Sequence, residues 1–399
     1  MAQKLKFGNG TWANKEGSTL AYNDENNNYK PLPFSFTRDS IATRVNKEGL
    51  IEVVGNDKPR IDYTDSEDGV LLLENSATNL QTYSSDLSSV YVPTNITQTS
   101  NYGASPDGSL TSTRVVLANL TDSRSVETLT GTLTNGVVYT FSCYYKGVKG
   151  ESTYMYFLSS TGGTNISKEI IFTGKWQRES ITFTAGSASN YTYIVDVRQG
   201  SSTATDFEVW GAQVEANSFS TSYIPTSGST VTRQADTAND AGNSQVFNDI
   251  EGTIFLDTNF KNSSGVQILC SVHDFATNKR LEIWANNNLI NGFIGGSSNI
   301  NVGSSNLING SHKIALNYKS GNSSFYIDGF LIGSSNSSFT ISALTKMNLS
   351  YLDGVQFTSI SPTKEIGYYD EILTDEELEY MTSYRTLREL AEELNLNKL

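Results

Sequence analysis

Few side chains in this sequence could carry covalent chemistry. The two histidines of the 399 residues are His273 and His312. His273 ends an apolar run before Asp274, and His312 opens a strand after Asn309-Gly310. Neither has a serine or cysteine in a nucleophile-elbow setting, and a hydrolytic triad needs a base oriented by a carboxylate. Cys143 and Cys270 are far apart and lack a CxxC neighbour. That pattern argues against a disulfide framework and a zinc site, and the apolar surroundings predict buried free thiols. Glycoside cleavage needs two carboxylates about 5 to 10 Å apart. The candidates here are Glu365, Asp370-Glu371 and the run Asp375–Glu379. The run reads as a first helical turn, where carboxylates favour the helix dipole. No phosphate-cradling glycine motif sits between a strand and a helix. Asp107 and Asp206 are the carboxylates that could join a structural calcium, without EF-hand spacing behind them. The sequence asks for no cofactor.

Binding chemistry is better represented. Tyr154 and Tyr156 share one strand face, Tyr191 and Tyr193 share another, and Trp176 and Trp284 add further aromatic surface. Exposed rings beside Asn, Gln, Asp or Arg are stacking platforms for sugars, although the same rings could fill a sandwich core. Trp210, inside FEVWGAQVE, reads as core. A second set is basic. Arg38, Arg44 and Arg60 lie in Phe34–Leu80, unusual in a chain of net charge -14. They either pair with Asp39, Asp57 and Asp62 or fasten this segment to an acidic partner surface.

The elements that position these groups are strands. Aromatics make up 11% of the chain and charged residues 18%, enough apolar surface for packed cores. An acidic balance excludes nonspecific nucleic-acid binding, which needs a basic face. No run reaches transmembrane length, so no membrane insertion is expected. The N-terminal MAQKLKFGNGTW has no apolar signal core, so synthesis in a cytoplasm is expected. Residues 1–79 read as an N-terminal attachment or collar region, polar at first and then built of short β runs. Residues 80–236 supply eight strand candidates: Thr111–Leu117, Arg124–Leu129, Val137–Lys146, Thr153–Leu158, Lys168–Phe172, Trp176–Phe183, Thr192–Arg198 and Phe207–Val214. That spacing predicts a jelly-roll sandwich. Residues 245–384 predict a second sandwich, with a hairpin turning at Asp328-Gly329. Thr374 and Glu377 form a capping box that opens a C-terminal helix over 374–399, with Tyr380, Tyr384, Leu387, Ala391 and Leu394 at heptad-like spacing.

The runs YSSDLS, SPDGSLTSTRV, YTFSCYYKG, KWQRESITFT and FEVWGAQVE resemble the carbohydrate-binding-module type of jelly roll. The flanking Phe34–Leu80 and Ser222–Asp236 resemble segments that bracket such modules in tailed-phage structural proteins, and are expected to lie together. Val246–Tyr384 resembles the concanavalin A-like, laminin-G-like sandwich. These resemblances imply a non-enzymatic virion protein, a head fibre, capsid decoration or tail adhesin, held to capsid or tail proteins. They further imply a homo-oligomer, with a trimer favoured, that presents its sandwiches to host surface glycans. Two other readings stay open: a phage-borne polysaccharide hydrolase or lyase, and a structural virion component without a ligand.

Overall fold

A computed structural model describes residues 3–8, 12, 14–15, 18–19, 33–129, 133–262, 265–274, 279–350 and 359–383. They fold into β-sheets with a single short α-helix among the described residues. The chain divides into two compact units. One comprises Ser40–Val53 and Ser76–Gln234, the other Met1–Asp39, Val54–Asn75 and Ala235–Leu399.

The first unit is a jelly roll. Its eight central strands are Thr113–Leu117, Arg124–Thr128, Val138–Lys146, Ser152–Ser159, Ile166–Ile171, Gln177–Thr184, Asn190–Asp196 and Asp206–Glu215. In that order the first, eighth, third and sixth form one antiparallel sheet, and the second, seventh, fourth and fifth form the other. This is the double Greek key of a jelly roll. Ile96–Thr99 extends the first sheet and Val92–Thr94 the second. Alternation drives the packing: Tyr139, Phe141, Cys143 and Tyr145 enter one core with Met155, Phe157, Ile181, Phe183, Phe207 and Val209. Burial in that core pushes the Cys143 thiol up to about 12.

The second unit packs an eight-stranded sheet and a five-stranded sheet around its own core. The larger sheet holds Glu251–Phe260, Gly310–Lys319, Ser323–Ile327, Phe330–Ser335 and Thr363–Tyr369. The smaller holds Val266–His273, Arg280–Asn286, Leu289–Gly295, Asn299–Asn306 and Lys346–Asn348. The hairpin turns where expected, with Asp328 at φ 52° and Gly329 at φ 84°. Both values are left-handed, as a type I′ turn requires. The helix spans Asp375–Thr382 and carries the full Thr374–Glu377 capping box. Its Leu378 and Met381 pack on Phe255, Ala315, Tyr326 and Tyr369. Of the heptad-like positions, Tyr384, Leu387, Ala391 and Leu394 lie outside the described residues.

The stretch 1–79 is distributed differently from the linear partition. Gln3–Gly8 pairs antiparallel with Thr363–Tyr369 and buries Leu5 and Phe7 in the second core. Arg60–Asp62 and Val70–Leu72 add strands to the same eight-stranded sheet. Ala42–Val45 and Ile51–Val54 form a hairpin, and Ile51 packs on Trp210 and Tyr223 of the jelly-roll unit. The physical reason is apolar content: these short strands carry large side chains but too few to bury one another alone. The two flanking segments pair once, in the first unit, and the start of the first also pairs with residues just past the end of the second. Ala77–Asn79 runs beside Val231–Arg233, and Phe34–Thr37 beside Thr237–Asn239.

The arginine reading needs correction. The Arg38 and Arg60 side chains are fully buried and unavailable to a partner surface. Arg38 Nη1 donates to Asp236 Oδ1 at 2.9 Å and Arg60 Nη1 to Glu74 Oε2 at 2.8 Å. Arg60 Nη2 reaches Asp236 Oδ2, which also accepts the Glu74 amide at 2.9 Å. Two guanidinium groups out of water need such carboxylates as closely held partners. Asp57 serves by accepting the Arg38 backbone amide at 2.9 Å. Arg44 is partly exposed and pairs with Glu52 at 2.6 Å.

Candidate binding face

The two central strands of the second jelly-roll sheet, Ser152–Ser159 and Asn190–Asp196, are direct neighbours. Met155 and Phe157 point into the core, so Tyr154 and Tyr156 take the opposite face. On the adjacent strand a bulge sets Tyr193 opposite Val126 and Val195 opposite Ser125, leaving Ile194 as the extra residue. Ile194 and Val195 then both reach the core, while Tyr191 and Tyr193 stay on the outer face. Tyr156 lies opposite Tyr193 with ring centroids 5.4 Å apart. The sheet register therefore gathers all four tyrosines onto one face, which the sequence had shown as two separate pairs. Tyr154, Tyr156 and Tyr191 are half-buried and Tyr193 is nearly covered.

A polar rim adjoins the rings. The strand ends at Asp196, whose buried carboxylate caps the short turn Val197–Gln199. Asp196 Oδ1 accepts the Arg198 amide at 3.1 Å and Arg198 Nε at 2.8 Å. Oδ2 accepts Arg198 Nη2 at 2.7 Å and Gln199 Nε2 at 3.2 Å. Gly200 follows, in extended backbone; a Cβ there would lie 2.3 Å from Tyr154 Cζ and Oη, so that ring rests on the turn. Burial raises the proton affinity of the Tyr156 and Tyr193 hydroxyls, with Arg198 opposing it in both cases, and keeps both neutral donors near pH 7. Asp196, Arg198, Gln199 and Gly200 were not singled out from sequence. The available signal was a charged VDVRQG at the end of a tyrosine-bearing strand.

The other aromatic candidates lie elsewhere. Trp284 belongs to the second unit, on the non-core face of the five-stranded sheet, between core residues Ile283 and Ala285. Its cross-strand neighbour is Asn291, whose amide oxygen accepts the Ser304 hydroxyl at 2.6 Å. Trp176 is partly buried, donating Nε1 to the Ala104 carbonyl at 2.9 Å, and Trp210 is core.

The groups that could have been catalytic are engaged structurally. Both His312 nitrogens face acceptors, Asp328 Oδ2 at 2.6 Å and the Ile308 carbonyl at 3.0 Å. His273 is buried, and desolvation lowers its proton affinity. Asp257 and Glu365 are cross-strand neighbours, but Glu365 pairs with Lys6 at 3.4 Å and Lys313 is the other neighbour of Asp257. Asp206 binds Arg114, and Asp107 accepts the Ser105 and Ser109 hydroxyls at 2.8 and 2.7 Å.

No protein-family model matches the sequence, and no curated protein matches it. Comparison with solved structures returns the CBM40 module of the Ruminococcus gnavus IT-sialidase bound to α2,3-sialyllactose, at 16% identity and TM-score 0.32. That match covers 35% of this chain and 86% of the module. A leech intramolecular trans-sialidase matches at 20% identity and TM-score 0.31, over 35% of this chain and 24% of the enzyme. The binding domain of botulinum neurotoxin serotype D matches at 10% identity and TM-score 0.30, over 36% and 38%.

Proposed function

We propose that this is a non-catalytic glycan-binding protein, and that the tyrosine face of its jelly roll is the binding surface. The observation that carries the reading is the convergence of Tyr154, Tyr156, Tyr191 and Tyr193 on one sheet face beside a rigid Asp196–Arg198–Gln199 rim. Sugar rings present C–H faces that stack on such aromatics, while hydroxyls pair with amide and guanidinium groups at the rim. An open sheet face suits a polymer passing across it. The resemblance of the flanking segments to those of tailed-phage proteins supports a place on a virion, as a fibre or decoration made in the host cytoplasm. Several copies, a trimer by the same resemblance, would multiply a weak single-site affinity through avidity.

The test is a glycan array probed with the purified protein and with Tyr156→Ala. Binding of the parent, lost at least tenfold in the variant with the melting temperature kept, supports the reading. An array without hits defeats it, as does turnover of a bound polysaccharide. Co-sedimentation with phage particles tests the virion placement separately.

A further inference from the structure

The rim of the tyrosine face contains one group whose geometry goes beyond general sugar binding. Arg198 presents five N–H donors in a planar fork with two usable edges. The inner edge, Nε with Nη2, is spent on Asp196 at 2.8 and 2.7 Å. Asp196 has a fully buried side chain and also receives the Arg198 amide and Gln199 Nε2. Four donors on one desolvated carboxylate fix the guanidinium plane before any ligand arrives. The outer edge, Nη1 with the second Nη2 hydrogen, is left to solvent and to the neighbouring Tyr193, and the side chain is 39% exposed. A pre-oriented outer edge matches two oxygens of a carboxylate or sulfate better than it matches scattered hydroxyls.

The surroundings place that edge beside the rings. Tyr154 rests on Gly200, two residues after Arg198, and Tyr156 and Tyr193 feel its charge. Arg124 lies across the strand from Asp196 and pairs with Asp122. The formal charges of Arg124, Arg198, Asp122 and Asp196 cancel. Any preference for an anion therefore comes from the outer fork edge and not from a net field. Glu169 is the direct cross-strand neighbour of Tyr154 and shares its face, one strand further from the strand that leads into Arg198.

We infer that the tyrosine face takes an acidic glycan, stacking a sugar ring on the half-buried Tyr156 while a carboxylate or sulfate of the same chain docks on the outer edge of Arg198. This rests on the glycan-binding reading above and adds the ligand class and the residue that selects it.

The test compares matched pairs on the intact protein: uronate- and sulfate-bearing oligosaccharides against their neutral parents, with methyl-esterified uronates as charge-free isosteres. Titration calorimetry should show the acidic member binding about tenfold tighter, or 1.4 kcal/mol. Methyl esterification of the ligand should erase that margin with the parent protein, a result independent of any variant's folding. Arg198→Gln should bring the acidic and neutral members to equal affinity, and Arg198→Lys should restore only part of the preference, because a point charge cannot form the fork. Equal affinity for acidic and neutral members, or a preference unchanged in Arg198→Gln, overturns the inference while the glycan-binding reading stands. Binding to no glycan overturns both.

Discussion

At the scale of residues, the most informative side chains are carboxylates hidden from water. Asp236 takes charge-assisted bonds from two buried guanidinium groups and from the Glu74 amide. Removing one partner of a buried ion pair leaves the other charge uncompensated, which costs about 3–5 kcal/mol. Asp236→Ala should lose stability of that order, read from the denaturant midpoint of the second unit. Glu127 behaves in the opposite sense. It lies in the jelly roll beside Gln81 and Tyr91, and its Oε2 has no hydrogen-bond partner among the described residues. Burial pushes its carboxyl up to about 7 from an ordinary 4.5. Between those values the folded state holds a proton that the unfolded state has released. Stability therefore falls as pH rises from about 4.5 through 7, then levels off. The lost amount is on the order of 3 kcal/mol. Glu127→Gln should flatten that slope and raise the melting temperature at pH 8; a variant with the parent's pH profile would contradict the assignment.

At the scale of elements, strands were legible where apolar and polar residues alternate. Each of the eight jelly-roll candidates lies on an observed strand, with ends displaced by a few residues. The Asp328-Gly329 turn was legible because few dipeptides tolerate two left-handed residues in succession. Asn299–Asn306, the sequence NINVGSSN, was missed: its Asn, Ser and Gly read as loop, and only Ile300 and Val302 reach the core. The binding face was half legible. Period-two alternation shows that Tyr154 and Tyr156 share a side, but adjacency to Tyr191 and Tyr193 depends on strand order, which no local pattern encodes. The Val197–Gln199 turn was invisible for a related reason, since its role comes from Tyr154 resting on Gly200. That contact is testable. Gly200 has ordinary extended backbone, so Gly200→Ala brings no backbone strain and only forces the Tyr154 ring aside. We expect a stability loss of about 1 kcal/mol or less, since a half-exposed ring can swing outward, with a clear loss of glycan affinity. A large drop in melting temperature with affinity intact would show the ring to be structural.

At the scale of the whole molecule, the sequence suggested beads in a row and the chain is interleaved. It passes between the two units at 39/40, 53/54, 75/76 and 234/235. Hydrophobic patterning marks which residues are buried but not against which partner, so short strands before residue 80 looked like an appendage. Their contribution can be sized. The core of the second unit includes Leu5, Phe7, Phe34, Phe36, Ile61, Leu71 and Leu73, all outside residues 245–384. At about 1.5–3 kcal/mol for each large apolar side chain, these seven contribute roughly 10–20 kcal/mol. That equals or exceeds the entire net stability of a typical domain, about 5–15 kcal/mol. A fragment of residues 245–384 should therefore fail to fold, and Thr363–Tyr369 would be left without the strands Gln3–Gly8 and Val70–Leu72 beside it. An unpaired strand edge of that kind promotes aggregation. Residues 76–234 make the informative comparison. They keep the whole jelly-roll core and the Ala77–Asn79 pairing with Val231–Arg233, and lose Ile51 and the Thr43 bond to the Tyr223 carbonyl. That fragment should fold, less stable than in the full chain by about 2–4 kcal/mol. Circular dichroism melts of the two fragments decide the matter: a cooperative transition from 245–384 would mean that the early strands decorate a self-sufficient sandwich, whereas its absence, beside a folded 76–234, makes Leu5, Phe7, Phe34, Phe36, Ile61, Leu71 and Leu73 an integral part of the second unit's core.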